Sequence, residues 1–459
     1  MEAIASYFKF AERGTTFATE VKAGVATFMV MVYIVAVNPS ILSNALAPGS
    51  DVQAFQVAAA AATALVAAVM TFAMGVFANY PIAIAAGLGI NAIVAFGLAL
   101  GAGLGLSGAM GVIVWEGLVV TVLVVVGLRE AIMRAVPLSI KRAIGVGIGL
   151  FILFIGFFVG GLINSPTCFA LPCPAPGAPP VEFKFPNSWA TWLTVIGLLI
   201  TIVLYLRRVP AALVLSIVIT SVLALLVGVT SVPANLLRAP DFSTLGAFDL
   251  TAVFTTLGPL AAVLTIFTIM LADFFDTMGT ATAITEQAGL TTQDGQVPGI
   301  GRVLLVDSVA AVAGGAAGIS SNTSYIESAA GVAEGGRTGF TSVVVSVLFV
   351  VVIVLSPLVA LVPFQATAPV LILVGFLMTT LIRDIDFTDF EEGFPALLGL
   401  ILMPLTFSIT VGIGAAFIAY VVVKVVVGKW RQVHPLMWLV ALAFAVYFAQ
   451  TAIQSLLPR

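Results

Sequence analysis

Ala272-Asp273-Phe274-Phe275-Asp276-Thr277 lies inside an apolar run near 256–283, and Ser324-Tyr325-Ile326-Glu327-Ser328 lies inside a second near 322–336. An ionised carboxylate in hydrocarbon costs several kcal/mol, about 2.5–3.5 on insertion scales. Acids at that depth tend to face a protein-lined cavity and to handle protons, ions or a polar ligand. Two such clusters point to a membrane-embedded carrier.

Composition agrees. Of 459 residues, 61% are hydrophobic and 8% charged, and the mean hydropathy is +1.19. A soluble domain carries about 25% charged residues. Apolar stretches of transmembrane length recur from end to end, so the expected fold class is an all-α polytopic membrane protein with little soluble mass. The net charge of -3 says nothing about a nucleic-acid partner, but there is no basic run to bind one, and none is expected. One histidine, His434, and two cysteines, Cys168 and Cys173, offer no converging ligand set, so neither a metal nor another cofactor is expected. The cysteines share one polar loop, where a disulfide and two free thiols fit equally well. Met1–Glu20, interrupted by Glu2, Lys9, Glu12 and Arg13, reads as an amphipathic segment on the membrane surface rather than a cleavable signal.

Spans are expected near 21–44, 54–77, 81–100, 109–128, 138–162, 188–206, 210–230, 256–283, 300–318, 322–336, 340–362, 366–382, 395–427 and 434–456. The run 395–427 contains Pro404, Gly412 and Gly414 and is either one broken helix or two short ones. Lys9, Arg13, Lys22, Arg129, Arg134, Lys141, Arg142, Arg207, Arg208 and Arg383 fall on one side if the N-terminus is cytoplasmic. Lys429 and Arg431 join them only if 395–427 holds two helices. The proline-rich loop 161–187 is expected to be irregular.

Ala85-Ala86-Gly87 in the third span and Ala329-Ala330-Gly331 in the tenth each follow a polar, broken stretch, about half the chain apart. Paired, interrupted spans are the best sequence pointer to a midplane binding site, because a broken helix presents free N–H groups where water is absent. Small residues also let helices pack closely, which is the plainer explanation of the glycines. Asn91 and Glu327 in the same two segments favour a site.

Asp273 and Asp276 are three apart and share a helix face, with Thr277 and Thr280 one turn on. Two carboxylates sharing a site do not both ionise readily, so one can carry a coupling proton. Glu327 can accept two N–H donors from a planar heterocycle, with Tyr325 stacking on it. Glu334 and Arg337 read as a helix exit and tight turn, and Asp307 as a packing residue. Glu116, beside Trp115, is left open between a supporting and a pairing role. Gly103-Leu104-Gly105-Leu106-Ser107-Gly108 matches a dinucleotide-binding pattern without its strand and is an interhelical loop. Asn322-Thr323-Ser324 matches a glycosylation sequon at membrane depth. The nucleotide-binding pattern Gly-x-x-x-x-Gly-Lys-[Ser/Thr] does not occur, nor does any nucleophile–base pair of an enzyme.

Together, several stretches resemble the nucleobase–cation symporter-2 superfamily, in its azaguanine-like purine permease branch. They are Arg13-Gly14-Thr15-Thr16 with Glu20, Tyr33, Val37-Asn38-Pro39, Ala86-Gly87-Leu88-Gly89-Ile90-Asn91, Gly127-Leu128-Arg129-Glu130, Pro137 to Gly145, Asp273 to Thr280, Thr323 to Gly339, and Met403 to Ile409. The resemblance covers nearly the whole chain. It implies about fourteen helices in two inverted repeats of seven, with short strands in the broken spans three and ten. It further implies a cytoplasmic segment 1–20, a core domain from 21–128 and 256–362, and a gate domain from 129–230 and 363–459. Substrate-binding residues carried over are Glu327, Asp273, Asn91, Tyr325 and Thr277, with Asp273 and Asp276 coupling the ion. Thr277 stands where uracil- and xanthine-type relatives often carry a histidine, which puts more of the coupling on Asp273. Val411 stands where a polar residue is expected.

The resemblance implies a multi-pass plasma-membrane importer of purine nucleobases driven by proton symport. The alternatives are a uracil- or xanthine-type carrier, a small-anion carrier on the same fold, and sodium coupling. A gate-domain homodimer is common in relatives.

Overall fold

The computed structural model describes residues 2–127, 136–164, 181–232, 239–291 and 297–456. Arg129, Arg134, Cys168, Cys173 and the prolines from Pro166 to Pro180 lie outside the described residues.

In lipid, each backbone polar group must be satisfied within the protein, so the apolar runs form helices. α1 is Glu2–Tyr7. The first span is α2 (Phe17–Met31) and α3 (Ile34–Ser43), opened by Thr16, whose hydroxyl accepts from Thr19 N. α4 (Val52–Ala73) starts at an Asp51 cap and extends to Ala78. It stops at Asn79, which takes a left-handed φ of 57°, with Pro81 following.

The third span begins as a strand, β1 (Ile84–Ala86), and becomes α5 (Leu88–Ala92), which continues in wider turns to Gly101. Next come α6 (Gly105–Val125) and α7 (Leu138–Val159). Both ends of the 161–187 loop, expected to be irregular, pair as β2 (Ile163–Asn164) and β3 (Glu182–Phe183), held further by Lys184 N donating to Leu162 O at 2.8 Å. α8 (Trp189–Leu206), with a Ser188–Thr191 capping box, and α9 (Ala212–Leu226) complete this half.

The second half opens with α10 (Ala252–Leu257), α11 (Pro259–Gln287) and α12 (Ile300–Ala316). The tenth span is again a strand and a short helix, β4 (Asn322–Ser324) and α13 (Ser328–Ala333). α14 (Gly339–Leu355) and α15 (Phe364–Thr379) follow. The run 395–427 proves to be two helices, α16 (Phe390–Thr406) and α17 (Ile409–Val426). They are separated by Phe407 at φ 55° and by Ser408, whose hydroxyl caps α17. α18 (Pro435–Leu456) is last. Among the described residues, nine helices are long and apolar enough to cross a membrane.

β1 and β4 pair antiparallel at the centre, with Ile84 opposite Ser324, Ala85 opposite Thr323 and Ala86 opposite Asn322. Around them α6 packs on α12, and α4 on α14. Elsewhere α7 packs on α15 and α16, and α15 on α8. The α7–α15 crossing is close because glycines meet: a Cβ on Gly149 would lie 2.9 Å from Gly375 O, and one on Gly375 2.7 Å from Gly149 O. In the N-terminal segment, α1 buries no residue, whereas Phe8 and Phe10 are buried with rings against Phe340.

Candidate binding site at the paired broken helices

Two three-residue strands at membrane depth would leave edge groups unpaired, and side chains take them up. Thr71 Oγ1 on α4 accepts from Ile84 N and donates to Ile84 O, both at 2.9 Å. Ser328 Oγ accepts from Ala83 N at 3.0 Å. Tyr325 N donates to Ala83 O at 2.9 Å, and its hydroxyl to Ala86 O at 2.5 Å. Gly87 N donates to Ser321 O at 2.9 Å, which fixes the start of α5 against the residue before β4. Gly87 is required there, since a Cβ would lie 2.8 Å from Thr323 Cγ2.

The acidic residues converge on this crossing. Asp273, 3% exposed, accepts from Ser321 Oγ at 3.1 Å through Oδ2. Thr277 Oγ1 donates to Asp307 Oδ2 at 2.6 Å and lies 2.7 Å from Thr323 Oγ1. Asp307 Oδ1 accepts from Ser324 N at 2.7 Å and Ser324 Oγ at 2.8 Å. Glu327, partly buried, accepts from the Tyr33 hydroxyl at 2.7 Å. The Asn91 side chain is fully buried with both amide atoms unbonded.

The expected Asp273–Asp276 pair separates in the structure, because Asp273 is buried whereas Asp276, 60° further round the helix, is exposed. Asp273, Thr277 and Tyr325 are brought to the crossing, with Asn91 at the end of α5 and Glu327 at the start of α13. Tyr325 is buried with its hydroxyl bonded to β1, so it holds the strand pair. Sequence reasoning missed two organising residues. Asp307, read as a packing residue, ties α11 to β4. Tyr33 steadies Glu327 from 294 residues away; the family resemblance includes it, but nothing in the sequence joins it to Glu327.

These contacts form a polar crossing that holds the carboxyls of Asp273, Asp307 and Glu327, with Glu116 and Asp276 nearby, and among the described residues no ion pair reaches any of the five. Such a site suits a neutral ligand that donates N–H groups, and a proton.

Residues 18–419 match the model described as the Permease family. The chain is 39% identical over 442 residues to the adenine permease AdeQ of Escherichia coli, covering 96% of this chain and 94% of that one. It is 37% identical over 453 residues to the guanine/hypoxanthine permease PbuG of Bacillus subtilis, covering 96% and 99%. Its fold is similar to the transmembrane domain of a cyanobacterial bicarbonate transporter, BicA, with a TM-score of 0.58 at 16% identity, covering 87% of this chain and 97% of that one.

Proposed function

Since the chain belongs to the Permease family of nucleobase–cation symporters, we propose that it is a secondary active importer of purine nucleobases, such as adenine, guanine or hypoxanthine, coupled to protons. It is a multi-pass membrane transporter and not an enzyme. One observation carries the substrate reading. Glu327 stands at the start of α13, after β4, with its carboxylate steadied by Tyr33, and the Asn91 amide, unbonded among the described residues, stands in α5, after the paired strand β1. A carboxylate and an amide on opposed broken helices match the N–H and ring-nitrogen edges of a purine. The names of AdeQ and PbuG support the same substrate class.

In this mechanism Glu327 accepts the base's N–H edge, Asn91 orients it from the third span, and Tyr325 shapes the floor. Thr277 holds β4 through Thr323. Asp273 takes the coupling proton, and the exposed Asp276 lies on its path. Helix pairings support two inverted sets of seven spans, because α6–α12 and α4–α14 are mirror partners, as are α7–α16 and α15–α8. Spans one to four and eight to eleven form the core, spans five to seven and twelve to fourteen the gate, and α18 stands outside the repeat. Alternating access follows when the core moves against the gate. With α16 and α17 separate, Lys429 and Arg431 fall on the same side as Lys22 and Arg383, which supports a cytoplasmic N-terminus.

The test is radiolabelled hypoxanthine and adenine uptake into proteoliposomes under a proton gradient, a sodium gradient or neither, alongside Glu327→Gln. Proton-driven uptake that the variant loses by at least about tenfold, roughly 1.4 kcal/mol, is expected. Sodium-driven uptake would replace the coupling ion, and no purine uptake under any gradient would overturn the substrate class.

A further inference from the structure

We infer that Glu116 and Asp273 form one proton-sharing carboxyl pair, in which Glu116 is the positioning partner through which Asp273 takes up and releases the coupling proton. This rests on the proton-symport reading above. Glu116 lies in the middle of α6, 0% exposed, and both its oxygens are buried without a donor among the described residues. Asp273 Oδ1 is in the same condition. α6 packs on α11, which makes the two buried carboxyls close neighbours. Carboxylates are acceptors only, so the contact is a bond only if one of them carries a proton.

No neighbour among the described residues supplies a substitute. The titratable groups facing Glu116 are Asp273 from α11 and Asp307 from α12. Those facing Asp273 are Glu116 and Asp307, with Asp276 acting on it from further round α11, and among the described residues Ser321 is its one hydroxyl donor. All four are acids. Both Asp307 oxygens are already bonded, to Thr277 and Ser324. Trp115, next to Glu116, donates its indole N–H to Leu250 O at 3.0 Å and so serves another element. Two unpaired carboxylates sealed in a low-dielectric core are mutually excluded by desolvation and repulsion, whereas a shared proton relieves both.

The pair is wired to the binding site. Ser321 donates its hydroxyl to Asp273, and its carbonyl accepts from Gly87 N, where α5 begins four residues before Asn91. On loading, a proton from water bonds to one carboxylate oxygen and is held between the two groups. On release that O–H bond breaks, the electron pair stays on the oxygen and the proton returns to water. Nothing is oxidised or reduced.

Glu116→Gln tests this because it keeps the volume and gives Asp273 a permanent amide donor in place of the shared proton. Purine counterflow and proton movement, read with an entrapped pH dye, are measured in the same proteoliposomes. Purine exchange by the variant, at whatever rate remains, is the reference against which proton movement is counted. The protons moved per purine should fall several-fold, and the pH profile of uptake should shift by about one unit or more. An unchanged proton-to-purine ratio and pH profile would overturn the pair while leaving purine transport and proton symport intact. Wild-type protein that accumulates purine without moving protons would overturn both. Should the variant fail to fold, infrared spectra of wild-type protein decide. A protonated-carboxyl band that moves in heavy water and on carboxyl-labelling of glutamate supports the pair, and its absence overturns it.

Discussion

Tyr33 shows how one side chain outside the acidic motifs governs the site. Its hydroxyl is the side-chain donor to Glu327 Oε1. A hydrogen bond to a charged group contributes about 1.5–3 kcal/mol. Tyr33→Phe is therefore expected to raise the apparent KM for purine roughly tenfold to hundredfold while the melting temperature changes little. A KM equal to that of the wild type would show that Glu327 is positioned without Tyr33. Asp307 belongs to the same class of residue. Its three donors among the described residues are two hydroxyls and a backbone N–H, from Thr277 on α11 and Ser324 on β4, so the carboxylate acts as a rivet between elements.

Glu20 performs that task for a helix start. It is fully buried and accepts from Arg337 N, Thr338 N, Thr338 Oγ1, Thr341 N and Thr341 Oγ1, at 2.6 to 3.2 Å. The free N–H groups of α14 are thus satisfied by α2, and a negative charge at a helix N-terminus is favourable. Arg13 bonds Asn79 O and Arg337 O in the same cluster. Each buried donor left unsatisfied costs about 1–3 kcal/mol. Glu20→Ala should lower the thermal midpoint in detergent by several degrees yet leave the substrate affinity of the remaining folded protein close to normal. Equal midpoints would remove Glu20 from the list of stabilising groups.

The strand pair makes a sharper test. Gly87→Ala places a methyl 2.8 Å from Thr323 Cγ2, which pushes β1 from β4, so uptake should fall with expression preserved. Thr323→Ser removes that methyl and keeps the hydroxyl bonded to Thr277. The double variant should recover much of the lost uptake. Failure of the rescue would place the damage in the backbone of α5 rather than in the contact.

Across the molecule, the proposed motion of core against gate passes between the third and fifth spans. A Cβ on Gly89 of α5 lies 4.0 Å from Ile148 Cβ of α7, within the disulfide range of about 3.5–4.5 Å. In a background with Cys168→Ser and Cys173→Ser, Gly89→Cys with Ile148→Cys should cross-link on oxidation. Uptake should stop, purine binding should persist, and reduction should restore transport. Undiminished uptake by the fully cross-linked protein would mean that these two spans do not move apart during the cycle.

Length and hydropathy alone determined that the chain is a bundle of membrane helices, where its spans lie, and that spans three and ten are broken. These are local properties: apolar runs must satisfy their own backbone in lipid, and glycine and proline interrupt them. The acids Asp273 and Glu327 were legible for the same reason, since a charge in hydrocarbon stands out against its neighbours. Only the tertiary structure decided that 395–427 is two helices, that Asp276 turns away from Asp273, and that β1 pairs with β4 in its particular register. It alone placed Tyr33 on Glu327, Glu20 at the start of α14 and Glu116 against Asp273. Those contacts join residues up to 321 positions apart. A lone polar residue in an apolar helix carries no mark of its partner, and the partner is chosen by which helix faces cross and how closely their small residues let them approach.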